Sequence, residues 1–183
     1  MYVKENAITP PLRHDWSGNQ LSFSFQFIFS VDADSVLFGG IFPDCSQSLG
    51  SKDKFEKGLW DKSVVELFIH DLESSNYLEF NLSPTGAFWL ASFSDYRVGE
   101  AELKFELKTE VSIVNNQILT STRIPNALIE YKTWIFAQTA IVATYDEKKC
   151  YLVRKFGWNS SAKESLKCEA DFHQKKLAES PNL

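Results

Sequence analysis

The sequence predicts an all-β protein, an antiparallel β-sandwich of jelly-roll or immunoglobulin-like type with about nine or ten strands. Three observations carry this. The run Leu21-Ser-Phe23-Ser-Phe25-Gln-Phe27-Ile-Phe29-Ser-Val31 is apolar at every odd position and polar at all but one even position. A period of two held that long is a half-buried strand. Tyr77–Leu82 also alternates, and it is followed by Ser83-Pro84-Thr85-Gly86 and an apolar return from Ala87 to Phe93. That is a β-hairpin around a turn whose Pro and Gly supply the special backbone angles. Elsewhere short apolar runs alternate with turn residues, with little helical periodicity and no internal repeat.

The elements follow in order. Residues 1–19 are polar and Pro-containing and read as a lead-in or edge segment; residues 20–175 form one domain and 176–183 a charged tail. After the Leu21–Val31 strand comes a short one from Val36 to Phe42, ended by Pro43-Asp44. Residues 44–58 are a Ser/Lys/Asp/Gly-rich loop. Val64-Val65-Glu66-Leu67-Phe68-Ile69 is the next strand, then the 77–93 hairpin. Further strands are expected at about 103–113, 117–124, Trp134–Tyr145 and Cys150–Phe156, with Asn115-Asn116 as a turn. Pro125 to Tyr131 is the best helical-turn candidate in that half. Ser161-Ala-Lys-Glu164 has capping-box spacing and would open a short helix if it is not a polar loop.

Bulk composition narrows the function classes. The chain has 183 residues and 20.9 kDa, enough for one domain with its own core. A net charge of −5 argues against nucleic acid and anionic membranes as main partners. No stretch approaches the ~20 apolar residues of a membrane helix. The N-terminal residues lack the apolar run of a signal peptide, so the sequence as written is expected to be cytoplasmic. Cys45, Cys150 and Cys168 are odd in number and far apart in sequence, which fits neither a disulfide framework nor a zinc knuckle. His14, His70 and His173 show no ligand-like spacing, so no metal site is expected. The aromatic content is high, with 5 Trp, 6 Tyr and 15 Phe.

Strand parity locates a candidate site. Leu78, Phe80 and Leu82 share one face of their strand, as Val65, Leu67 and Ile69 share one face of theirs. If both sets face the core, Glu66, Tyr77, Glu79 and Asn81 look away from it, and Gln138 is expected to join them. A face carrying carboxylates, amides and aromatic rings suits a polar ligand with flat apolar sides, such as a sugar. A solvated outer face is the plain alternative. Glu66, flanked by apolar residues, is costly to bury alone, so it either faces solvent or is paired, with Arg97 and Arg123 as candidates.

The run Leu59-Trp60-Asp61-Lys62-Ser63-Val64-Val65-Glu66-Leu67-Phe68 now gains weight. So do Tyr77-Leu-Glu-Phe80-Asn81-Leu-Ser83-Pro84-Thr-Gly86-Ala-Phe-Trp89, the pair Tyr96-Arg97, and Asp171-Phe172-His173. In this order they resemble the DOMON-like proteins related to family 9 carbohydrate-binding modules, over roughly residues 20 to 175. The resemblance implies a β-sandwich and a non-catalytic, carbohydrate-binding role. It implies that Trp60 is one of two rings clamping a terminal sugar, that Phe172 stands where the second, a Trp, is usual, and that Glu66 bonds sugar hydroxyls. Glu79 stands where sugar-binding relatives carry a basic residue. The expected ligand set is therefore Trp60, Glu66, Tyr77, Glu79, Asn81, Gln138 and Phe172, for a mono- or oligosaccharide. No catalytic residue is assigned and no cofactor is expected, although structural calcium occurs in some relatives.

Other readings belong to different classes. A protein-interaction or scaffold domain has no small-molecule ligand and would show a large apolar patch in place of an aromatic-lined cleft. A glycoside-processing enzyme would use Glu66 and Glu79 as its carboxylate pair. Haem binding, known for other DOMON relatives, would rest on histidine alone, because Met1 is the single methionine.

Overall fold

The computed structural model describes residues 8–129 and 133–154. Eleven strands lie among these: β1 (Leu12–His14), β2 (Gln20–Val31), β3 (Ser35–Pro43), β4 (Val64–Asp71), β5 (Tyr77–Leu82), β6 (Phe88–Phe93), β7 (Ala101–Glu102), β8 (Thr109–Val114), β9 (Gln117–Pro125), β10 (Trp134–Ala143) and β11 (Lys149–Arg154). They form a five-stranded sheet, in the order β1-β2-β3-β9-β8, and a six-stranded sheet, in the order β11-β10-β4-β5-β6-β7. Every strand pairing is antiparallel. The all-β sandwich expected from alternation is the observed architecture.

The period-two pattern places the core. On β2 and β3, Phe25, Phe27, Val36, Phe38 and Phe42 are buried against Val65, Leu67, Ile69, Leu78, Phe80 and Leu82 of β4 and β5. Each such side chain contributes about 1.5–3 kcal/mol on leaving water. Rings cross the interface directly: Phe29 stacks on Phe136 at 4.0 Å, and Phe38 meets Phe80 edge-on at 6.3 Å. The five-stranded sheet and the six-stranded sheet thus present one face each to a shared apolar layer.

One segment departs from the sequence reading, and the N-terminal stretch takes the edge alternative. The strand expected at 103–113 is broken. Ala101–Glu102 pairs with β6, whereas Thr109–Val114 pairs with β9 in the opposite sheet. Between them the chain crosses from one sheet to the other. Leu103 packs against the core, Leu107 is buried and Phe105 is exposed, so the alternation reflects a crossing segment and not a ladder. Within the N-terminal stretch, Leu12–His14 adds a strand to the edge of β2 through an irregular register. Its turn reaches the other sheet, where the Trp16 backbone N–H donates to the Tyr151 carbonyl at 2.8 Å. A single 3-10 turn, Asn126–Leu128, sits where a helical turn was expected. The segment around Ser161–Glu164 lies outside the described residues.

The loop between β3 and β4 is tied down throughout. Its Lys54–Glu56 stretch bonds Phe88 on both sides, with Phe88 N–H to Lys54 O and Glu56 N–H to Phe88 O at 2.9 Å each. Gly58, at φ 88°, then turns the chain into a 3-10 turn at Leu59–Asp61. This loop carries Trp60 onto the outer face of the six-stranded sheet.

Candidate functional site

The outer face of the six-stranded sheet is built by register. Thr139 of β10 lies opposite Glu66 of β4, Glu66 opposite Asn81 of β5, and Asn81 opposite Trp89 of β6. One row along, Ala137, Phe68, Glu79 and Ala91 face one another in turn. Glu66 and Glu79 are therefore diagonal neighbours with Asn81 beside both. Diagonal neighbours stand about 7–8 Å apart on a pleated sheet.

This face is not solvated. Glu66 is 7% exposed, Glu79 8% and Asn81 0%. A second apolar cluster surrounds them, comprising Leu59, Val64, Phe68, Tyr77, Trp89 and Phe93, with Trp60 and Tyr151 packed against it. The plain expectation of a wet outer face is thus replaced by a second, partly polar interior. A buried carboxylate requires hydrogen bonds. The Thr139 hydroxyl donates to Glu66, and the Asn81 amide N–H donates to Glu79 Oε1 at 3.3 Å. Asn81 Oδ1 is buried and accepts no hydrogen bond from the described residues. Of the two arginines considered for Glu66, Arg123 is engaged elsewhere, with Asp32 at 3.0 Å on the other sheet. Arg97 lends its backbone N–H to the Tyr77 hydroxyl at 3.3 Å.

The aromatic side chains form a corner over one end of the polar row. Trp60 is half-buried and meets Trp89 edge-to-face, with centroids 5.4 Å apart and planes at 74°. Trp89 is locked: its indole N–H donates to Glu102 at 3.1 Å, and the Lys57 ammonium lies 5.7 Å from its ring centroid. Lys57 itself pairs with Glu100. Farther along, Tyr77 stacks on Phe93 at 4.6 Å, nearly parallel. Burial pushes the Tyr77 hydroxyl well above the ordinary tyrosine range, and the Glu79 charge adds to that. Burial also raises Tyr151, with the charge of Glu66 adding to it.

The expected residues divide accordingly. Glu66, Tyr77, Glu79 and Asn81 share the face, and Trp60 reaches it from the loop. Gln138 does not. It lies opposite Leu67, and with Phe136, Ala140 and Val142 it points into the inter-sheet core. There it is 1% exposed, with its amide N–H 3.5 Å from the Ile28 carbonyl oxygen and Oε1 without a partner. The correction was available from parity alone, since Gln138 is an even number of residues from Phe136 and Ala140. Phe172, Asp171 and His173 lie outside the described residues. Thr139 and Trp89 were missed. Trp89 is accessible through the local hairpin, because a turn at Ser83–Gly86 brings it opposite Asn81, whereas Thr139 reaches Glu66 only through the long-range pairing of β10 with β4.

Cys45 and Cys150 are free, partly buried thiols, and burial pushes Cys150 up. Among the described residues no group of three or more potential metal ligands occurs.

No family model and no curated protein sequence matches the chain. Similar folds occur among solved structures. A proposed carbohydrate-binding protein from Bacteroides uniformis superposes with a TM-score of 0.61 at 13% identity, covering 82% of this chain and 78% of that one. A family 9 carbohydrate-binding module from Caldicellulosiruptor kristjanssonii in complex with cellotriose gives 0.49 at 9% identity, covering 83% and 75%. The same description with glucose gives 0.47 at 10% identity, covering 81% and 74%.

Proposed function

We propose that this protein is a non-catalytic carbohydrate-binding module whose site lies on the outer face of the six-stranded sheet. The observation that carries the reading is the Trp60–Trp89 corner standing beside the Thr139-Glu66-Asn81 row. A sugar ring has C–H faces that stack on indole and hydroxyls that bond carboxylates and amides. The corner offers the first surface and the row offers the second. The low-identity fold neighbour described as a proposed carbohydrate-binding protein is consistent with this role.

In this reading Trp60 is the stacking platform, because it is the half-buried ring of the pair. Trp89 orients it, and Glu66 and Asn81 accept hydrogen bonds from hydroxyls. The test is a glycan array followed by titration of intrinsic Trp fluorescence with each hit. Saturable binding that shifts the emission, and is lost in Trp60→Ala, is the expected result. Folded protein that is silent against the whole array overturns the reading and favours an interaction domain.

A further inference from the structure

The edge of β8 is open, and we propose that a second copy of the same strand occupies it, joining two molecules through a two-fold antiparallel β8–β8 pair. An unpaired strand edge is a template for another chain, and folded proteins shorten, bend or cover such edges. Among the described residues the other sheet edges are treated in these ways. β1 has three residues, follows Pro10-Pro11 and pairs with an irregular register. β7 has two residues. β11 is met by the Trp16 N–H, which donates to the Tyr151 carbonyl. β8, in contrast, runs for six residues in unbroken register with β9 and contains neither Lys nor Pro. Its Ile113 and Val114 are 71% and 55% exposed.

The turn after β8 decides which backbone groups are open. Asn115 and Asn116, at φ 50° and 58°, form a two-residue hairpin loop, so the flanking Val114 and Gln117 are a hydrogen-bonded pair. Hydrogen-bonded and non-bonded pairs alternate along an antiparallel ladder. Glu110 and Ser112 therefore bond β9, whereas Thr109, Val111 and Ile113 turn their N–H and C=O outward. Thr109 agrees with this, because its N–H donates to Asp53 Oδ1 at 2.6 Å. That bond closes one end of the edge and leaves Val111 and Ile113. Among the described residues no backbone group outside the β8–β9 ladder bonds either of them.

Two outward-facing residues, spaced by one, match their own copy. Pairing about Ser112 sets Val111 against Ile113 of the copy and Ile113 against its Val111, with two bonds per pair. In that register Glu110 lies opposite Val114 of the copy and Lys108 level with its Asn116, so no like charges face each other. A slip that sets Val111 on itself would call on the Thr109 N–H that Asp53 already holds. A longer foreign strand would meet the same obstacle, which favours the copy as occupant. The pair forms on the sheet that does not carry the Trp60 face, so that face stays open in both molecules.

The experiment is sedimentation velocity of the full chain over a concentration series from about 1 to about 500 μM, the weak range that suits a small interface. A monomer–dimer equilibrium is the expected result. Val111→Pro removes an outward N–H and leaves the β8–β9 ladder its bonds, so it should weaken the dimer about tenfold or more. Ile113→Lys, at an exposed position, serves the same purpose should the first variant not fold. Amide hydrogen exchange checks the register: Val111 and Ile113 should exchange fast in dilute protein and slow down as the dimer fills, while Ser112 stays protected throughout. A monomer at every concentration overturns the inference, as does a dimer that Ile113→Lys leaves unchanged. Assembly that continues past the dimer overturns the two-fold pairing.

Discussion

Glu66 and Asn81 face each other across β4 and β5, a buried carboxylate opposite a buried amide, on the side of the sheet that points away from the main core. Polar groups there are interior groups in a second apolar cluster. Their hydrogen bonds accordingly matter for stability.

Thr139→Val is the direct probe of that row. It is close in shape and removes the hydroxyl that donates to Glu66. Bonds to charged groups contribute about 1.5–3 kcal/mol, so urea unfolding should register a loss of that order. An unchanged midpoint would mean that Glu66 does not depend on the Thr139 hydroxyl.

Trp60→Ala should weaken sugar binding about tenfold or more, since truncating an aromatic anchor removes most of a stacking contact. Thermal unfolding should shift little in comparison, because the side chain is half-buried at the edge of its cluster. A variant that binds normally would make Trp60 a lid over Trp89 and nothing more.

Gln138→Met separates the core from the site. Gln138 lies in the apolar layer with Oε1 unpaired, so an apolar side chain of similar length should leave stability unchanged or raise it by about 1 kcal/mol. Sugar affinity should not move. A loss of affinity without unfolding would return Gln138 to the ligand set.

Gly86→Ala tests the hairpin turn. Gly86 has φ 87°, where a Cβ would meet the Thr109 side chain. The left-handed region alone costs an L-residue about 1–2 kcal/mol, so the variant should unfold at lower urea by at least that. A neutral effect would show that the turn relaxes freely.

Asp53 sets an acid-side dependence. The Thr109 backbone N–H, at 2.6 Å, followed by the Thr109 hydroxyl, holds its carboxyl below the usual range. A depressed folded pKa contributes stability that is present above the unfolded value and lost as pH falls through the folded one. The urea midpoints of wild type and Asp53→Asn should differ near neutral pH and converge as pH drops below the ordinary carboxylate range. A gap constant at all pH values would assign the effect to shape and not to charge.

The class of fold is written in the local pattern of the chain. Alternation along Leu21–Val31 and Tyr77–Leu82 fixes which side of each strand is apolar, because successive side chains point to opposite faces. The same rule puts Glu66, Tyr77, Glu79 and Asn81 on one surface, and it puts Gln138 on the core side with Phe136 and Ala140. What that surface is follows from long-range packing. Whether an outward face is wet depends on which distant segments pack over it. Here the loop carrying Leu59 and Trp60, 20 or more residues away in sequence from its Trp89 partner, covers it. Register across β10, β4, β5 and β6 then brought Thr139 to Glu66 and left one amide oxygen buried without a donor. Strand parity is a local property of the chain; burial and hydrogen-bond partnership arise between segments, so they are decided only when the sheets assemble.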